Sequence, residues 1–113
     1  MIHRGDIWWA ALGEPEGSAP GYQHPVVIIQ GDNFNSSRIR TVLAVVVTTN
    51  LRLADAPGNV RLLSHQTGLP KDSVANVSQV ATIDKGFLIE RVGSLPASLL
   101  RRIEEGLRLI MEL

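Results

Sequence analysis

The sequence predicts a mainly β fold, a small and partly closed antiparallel barrel that carries one C-terminal α-helix. Three observations lead there. Short apolar, β-branched runs recur along most of the chain, each closed off by Gly, Pro, Asn or Asp. Only the tail repeats apolar residues at helical spacing. The 113 residues, 44% of them hydrophobic, suffice for one domain, 1–113, whose core needs no disulfide or metal to hold it.

The elements follow in order. Ile7-Trp8-Trp9-Ala10-Ala11-Leu12 reads as a first strand, and Gly13 to Gly21, with three glycines and two prolines, as an exposed loop. Pro25-Val26-Val27-Ile28-Ile29-Gln30 is nearly continuous in apolar residues, the pattern of a strand buried on both faces, with proline at its first position. Turn residues 31–37 lead to a second such strand, Thr41 to Thr48, which Thr49 and Asn50 end. Val60 to Leu63 reads as a half-buried strand, Ser64 to Ser73 as loop, and Val74–Val77, Gln79–Thr82 and Leu88–Val92 as further short strands. Leu99, Leu100, Ile103, Leu107, Ile110 and Met111 form the helical stripe, with Ser94 as N-cap and Pro96 in the first turn. Gly106 inside that helix costs about 1 kcal/mol relative to alanine and points to close packing or a bend.

Composition removes several classes of function. Without cysteine there is no disulfide, thiolate metal site or cysteine nucleophile. No apolar run approaches the roughly 18 residues of a membrane span, and the first residues lack the pattern of a signal peptide, which predicts a cytoplasmic protein. His3, His24 and His65 are isolated and lack the spacing of metal ligands, so neither a metal nor another cofactor is expected. No glycine-rich phosphate loop and no Gly-x-Ser-x-Gly elbow is present. Net charge is zero, yet Lys71 and Lys85 are the only lysines among 11 basic residues, and the rest are arginine.

What remains is positional. Gln23 and His24 open the first buried strand directly after the glycine-rich loop, and Thr48 closes the next. Antiparallel pairing sets the start of one strand beside the end of the other, so His24 and Thr48 would share one edge of the sheet. The same two residues also fit plainer roles, a solvated histidine at a strand start and a β-branched strand former.

Longer stretches narrow the choice. Arg4-Gly5-Asp6-Ile7-Trp8-Trp9-Ala10, Gly21-Tyr22 followed by Pro25-Val26-Val27-Ile28-Ile29-Gln30, and Val47-Thr48-Thr49-Asn50-Leu51-Arg52-Leu53-Ala54 resemble the MazF/PemK toxins of bacterial toxin–antitoxin systems. Pro57-Gly58-Asn59-Val60 and residues Lys71 to Lys85 continue the match in order over nearly the whole chain. The resemblance implies an SH3-like barrel with a C-terminal helix, assembled as a homodimer. It also implies a metal-independent endoribonuclease that cuts single-stranded RNA and leaves 2′,3′-cyclic phosphate ends. The partner would be a small antitoxin protein whose disordered tail occupies the RNA groove.

Residue by residue, the family pattern places proton transfer and positive charge on an arginine just before the Pro-Val-Val strand. Here His24 holds that position, preceded by Gln23, and an imidazole both moves protons and carries some charge. Thr48 matches the family's strand-end threonine, a donor to a phosphate oxygen. Arg4, Ser18, Thr49 and Gln79 fall at positions that would contact RNA, and Ala19 stands where many members have glutamate. Losing one preorganised transition-state donor costs about 10²- to 10³-fold in rate, so the missing arginine implies a weakened or inactive enzyme. Two rivals are a CcdB-like toxin that inhibits DNA gyrase by protein contacts and a non-catalytic homologue that only binds antitoxin.

Overall fold

A computed structural model describes residues 1–13, 17 and 22–113. Its elements are strands β1 (Asp6–Ala11) and β2 (Gln23–Ile28), a helical turn α1 (Asp32–Asn35), β3 (Thr41–Thr48), β4 (Val60–Leu62), α2 (Ser64–Thr67), β5 (Ser73–Asp84), β6 (Leu88–Ser94) and the long helix α3 (Ala97–Met111). Single 3-10 turns at Leu51–Asp55 and Lys85–Phe87 link β3 to β4 and β5 to β6. The six strands form one antiparallel sheet in the order β4-β5-β3-β2-β1-β6.

Both faces of this sheet are buried, as the unbroken apolar runs of β2 and β3 require. Ile7, Val27, Val45, Val47, Ala75 and Val77 face α3 and β4, where Leu62, Leu99, Ile103 and Leu107 close one core. The alternate residues Ala10, Val26, Ile28, Val42, Ala44 and Ile83 turn the other way into a second core, flanked by Ile2, Trp8, Leu12 and Leu88. Period-two alternation thus continues through strands that look uniformly apolar.

Several expected boundaries shift, each for a physical reason. The two short strands expected at 74–77 and 79–82 are one strand, β5. Its pairing with β3 jumps from Val45↔Val80 to Val46↔Asn76, and the residues of that bulge interrupt the alternation that sequence reading relies on. β2 begins at Gln23, two residues before Pro25, because β1 pairs with it as far as Ala11↔Gln23 while its ladder with β3 starts at Val26↔Val46. Ser94 is no N-cap. It ends β6, and its hydroxyl joins Arg91 (2.7 Å) and the Asp6 carboxylate (3.4 Å), while Pro96 occupies the N-cap position of α3. Residues 64–67, expected as loop, form the helical turn α2. The apolar stripe of α3 is buried only through Leu107, and Ile110 and Met111 are exposed.

Two points fix the ends of the fold. Asp6 is the one ionised side chain in the core among the described residues, 1% exposed. It accepts from the His3 amide (2.9 Å) and the Trp8 indole (3.3 Å) and pairs with Arg91 (3.3 Å), tying the N-terminal turn to β1 and β6. At the other end, α3 crosses the turn before β4 with glycine against glycine. A Cβ on Gly106 would overlap the Gly58 carbonyl, and one on Gly58, at φ +81°, would lie 2.9 Å from the Gly106 carbonyl oxygen.

Gly106→Ala therefore gains about 1 kcal/mol of helix propensity but meets an overlap that typically costs about 1–3 kcal/mol. With a compression of this severity the clash dominates, and thermal unfolding of the variant is expected several degrees below the wild type. An equal or higher midpoint would show that the two segments can part freely.

A second expectation concerns acid. The Arg4 amide donates to Asp32 at 2.7 Å and the Asn35 amide at 3.1 Å, and these bonds, the first foremost, hold its carboxyl below the ordinary 3.8. A carboxyl with a lowered pKa in the folded state adds stability above its unfolded value and loses it as pH falls through the folded one. Denaturant titrations from pH 5 downward should show a shallower acid decline for Asp32→Asn than for the wild type. Parallel declines would refute the linkage.

Candidate active site

The β2–β3 ladder positions the site. Its register, Val26↔Val46 and Val27↔Val45, carried two residues further along each strand, sets His24 opposite Thr48. Both line one cleft of about 310 Å³ together with Gln23, Thr49, Trp9, Pro25, Leu69 and Lys71. The floor is apolar and the rim polar, and no carboxylate lines it among the described residues.

Pro25 has no N–H to offer the carbonyl of Val47, its neighbour in the continued register. The His24 ring reaches that carbonyl instead, with Nδ1 3.4 Å from the oxygen. A carbonyl oxygen only accepts, so a hydrogen bond here requires the proton on Nδ1, the tautomer that in the neutral ring leaves the lone pair on Nε2. Thr48 is prepared in a complementary way. Its Oγ1 accepts the Asn50 amide at 3.2 Å, within the turn that Asn50 continues by accepting the Arg52 amide at 3.3 Å. The Thr48 hydroxyl proton stays available as a donor.

Upstream, the loop between β1 and β2 is pinched at its base. The Leu12 amide donates to the Tyr22 carbonyl at 2.6 Å, and the Tyr22 amide donates to the Gly13 carbonyl. Tyr22 has φ 57°, a left-handed backbone rare for an aromatic residue, immediately before Gln23 and His24. Such strain collects at sites whose surroundings hold the chain in place.

Of the residues singled out from sequence, Gln23, His24, Thr48 and Thr49 share the cleft. Two others lie elsewhere. Arg4 is bound to Glu104 of α3 and to the Ile29 carbonyl, away from the cleft. Gln79 accepts from Asn76 at 3.1 Å and lines a different and larger hollow of about 610 Å³ with Leu12, Val80 and Phe87. That hollow is the roomier, but it contains neither His24 nor Thr48. Ser18 and Ala19 lie outside the described residues. Among those described, no three His, Cys, Asp or Glu side chains converge as metal ligands, and no helix is long and apolar enough to cross a membrane.

Sequence reading missed Lys71, Trp9 and Leu69 as walls of the cleft. Lys71 was legible only as the start of a stretch shared with a known family, since nothing in its spacing ties residue 71 to residues 24 and 48.

The fold and the cleft together define a small antiparallel half-barrel with an open, cation-bearing groove at its strand ends. The chain belongs to the family described as PemK-like, MazF-like toxin of type II toxin-antitoxin system, whose model matches residues 3–111. It is 48% identical over 113 residues, all of this chain and 99% of each relative, to Endoribonuclease MazF2 of Mycobacterium bovis and Endoribonuclease MazF6 of Mycobacterium tuberculosis. Among solved structures it resembles an endoribonuclease in complex with its cognate antitoxin from a mycobacterial species, with a TM-score of 0.81, 21% identity and coverage of 100% and 97%. MazF from Deinococcus radiodurans superposes with a TM-score of 0.83 at 18% identity over 99% and 97% of the two chains. These likenesses confirm the expected barrel with its C-terminal helix.

The tautomer is directly measurable. Long-range ¹H–¹⁵N NMR of the neutral protein should show His24 protonated on Nδ1 with Nε2 bare. The opposite tautomer would mean that the Val47 carbonyl does not hold the ring.

Proposed function

We propose that this chain is an endoribonuclease toxin that cuts single-stranded RNA, mRNA included, without a metal and is neutralised by a cognate antitoxin. The observation that carries the reading is the pairing of His24 with Thr48 across the β2–β3 edge. The curated relatives described above are named endoribonucleases, and one solved neighbour is bound to its antitoxin. That full-length kinship speaks for RNA cleavage and against a gyrase inhibitor of the CcdB kind.

The reaction follows from what the two side chains offer. His24 Nε2 takes the proton of a ribose 2′-hydroxyl, and the 2′-oxygen attacks the adjacent phosphorus. The bond to the 5′-oxygen breaks, and that oxygen takes a proton from solvent. The products are a 2′,3′-cyclic phosphate and a 5′-hydroxyl end, and no water is consumed. The Thr48 hydroxyl donates to a non-bridging oxygen as charge builds on the phosphorane, while Gln23 and Thr49 hydrogen-bond the neighbouring backbone.

The protein works in the cytoplasm as a homodimer. Leu109, Ile110, Met111 and Leu113 leave the end of α3 apolar and exposed, 59%, 46%, 47% and 84% respectively, a surface suited to a second copy. Arg4 and Gln79, remote from the cleft of one protomer, then contact RNA along a longer path.

The test is cleavage of a random single-stranded RNA pool in EDTA by the purified protein. Wild type should leave cyclic phosphate ends. Thr48→Val should lose about 10²- to 10³-fold in rate, the scale of one lost transition-state donor. Gln23→Arg should cleave faster by restoring a permanent charge beside the intact base His24. Absence of cleavage by wild type and by Gln23→Arg, with antitoxin binding intact, would favour the non-catalytic homologue.

A further inference from the structure

The site described so far is short of a fixed positive charge, and the cleft itself supplies one. We infer that Lys71 is the cation that holds the reacting phosphate, so that charge and proton transfer, combined in one arginine in the family pattern, are divided here between Lys71 and His24. This rests on the ribonuclease reading above and deepens it.

Four observations support the assignment. Lys71 lines the same cleft as Gln23, His24, Thr48 and Thr49, and it is the only lysine or arginine that does so among the described residues. Its side chain is exposed, and no described carboxylate pairs with it. Asp72, the acid next to it in sequence, is turned away, with its carboxylate accepting the Ser64 amide at 2.7 Å. The backbone that carries Lys71 is pinned on both sides. Before it, the Ser64 hydroxyl holds the Leu69 carbonyl at 2.6 Å. After it, the hydroxyl of Ser73, 2% exposed, holds Lys71's own carbonyl at 3.1 Å.

A lysine on a pinned loop, beside the base His24 and the donor Thr48 in a cleft lined by no acid among the described residues, meets the electrostatic requirement of a pentacoordinate phosphorane. It also frees His24. A histidine asked to supply charge must be protonated, whereas one asked to remove the 2′-proton must be neutral. With Lys71 carrying the charge, neutral His24, its Nε2 lone pair left free by the bond to Val47, can serve as base.

The experiment compares wild type, Lys71→Gln, Lys71→Arg and the double variant Gln23→Arg/Lys71→Gln, which restores a charge in the cleft and keeps the base His24, on the RNA pool in EDTA across a salt series. A parallel measurement follows binding of a 2′-O-methylated RNA pool, which cannot be cut. Residue 71 is exposed, so each variant should melt within a degree or two of wild type. Lys71→Gln is expected to lose about 10²- to 10³-fold in kcat/KM. It should also bind the uncuttable pool more weakly, with a salt slope lower by about 0.7, one phosphate contact fewer on a single strand. Lys71→Arg should stay within tenfold of wild type, and the double variant should regain at least tenfold over Lys71→Gln. Lys71→Gln cutting as fast as wild type, or an unchanged salt slope in binding, overturns the assignment. If wild type does not cut, the ribonuclease reading fails separately, and the binding slope alone decides whether Lys71 grips phosphate.

Discussion

The pairing of β2 with β3 is the constraint on which the rest depends. Apart from Leu43, 41% exposed, the apolar residues of the two strands are buried, with Val27, Val45 and Val47 on the side of α3 and Val26, Val42 and Ala44 on the other. A slip of one residue would exchange every one of these partners, presenting Ala44 to space shaped for valine and the reverse. Register is therefore held by two packed cores as well as by ladder hydrogen bonds. Because His24 and Thr48 are continuations of that ladder, their juxtaposition inherits its stability and needs no ordering when substrate arrives.

The candidate site lies where the ladder stops being regular. Pro25 removes one donor, and the Val47 carbonyl becomes the feature that orients an imidazole. Thr48 ends β3 in a turn that consumes one lone pair of its hydroxyl and leaves the hydrogen. The bulge in β5 belongs to the same pattern. Opposite Val45 and Val46 it inserts extra residues and bends the strand, so that the Ser73 end of β5 and the loop carrying Lys71 meet the cleft. Three ordinary devices for finishing a sheet, a proline, a side-chain turn and a bulge, thus also shape the candidate site.

This explains what could be read in the sequence and what could not. Thr41 to Thr48 was legible to the residue because eight strand-forming positions lie between clear turn signals, and α3 was legible from its stripe. The meeting of His24 and Thr48 followed from antiparallel pairing alone. By contrast, the bulge hid the continuity of β5, since extra residues break the alternation by which strands are recognised. Ser94 looked like an N-cap because its interaction with Asp6, 88 residues away, has no local signature. Arg4 was marked for RNA by family pattern, and its bond to Glu104 is of the same long-range kind. Lys71 escaped notice because its place in the cleft comes from the loop before β5, with no local signature tying it to His24 and Thr48.

Charge balance closes the argument. A chain with zero formal net charge exerts no general pull on a polyanion, so any grip on RNA must come from local fields. At physiological salt these reach about 8 Å, roughly the span of a single cleft. Within that distance what matters is the local arrangement, and here Asp72, the acid next in sequence, accepts the Ser64 amide while no described carboxylate pairs with Lys71. A chain with no net charge whose cleft carries one lysine beside a histidine would grip a polyanion weakly along its length and more firmly where a phosphate can enter the cleft. That combination suits an enzyme that cuts at chosen sites better than one that coats its substrate. It also means that an acidic antitoxin segment laid in the same cleft would remove the field and the active edge in one contact.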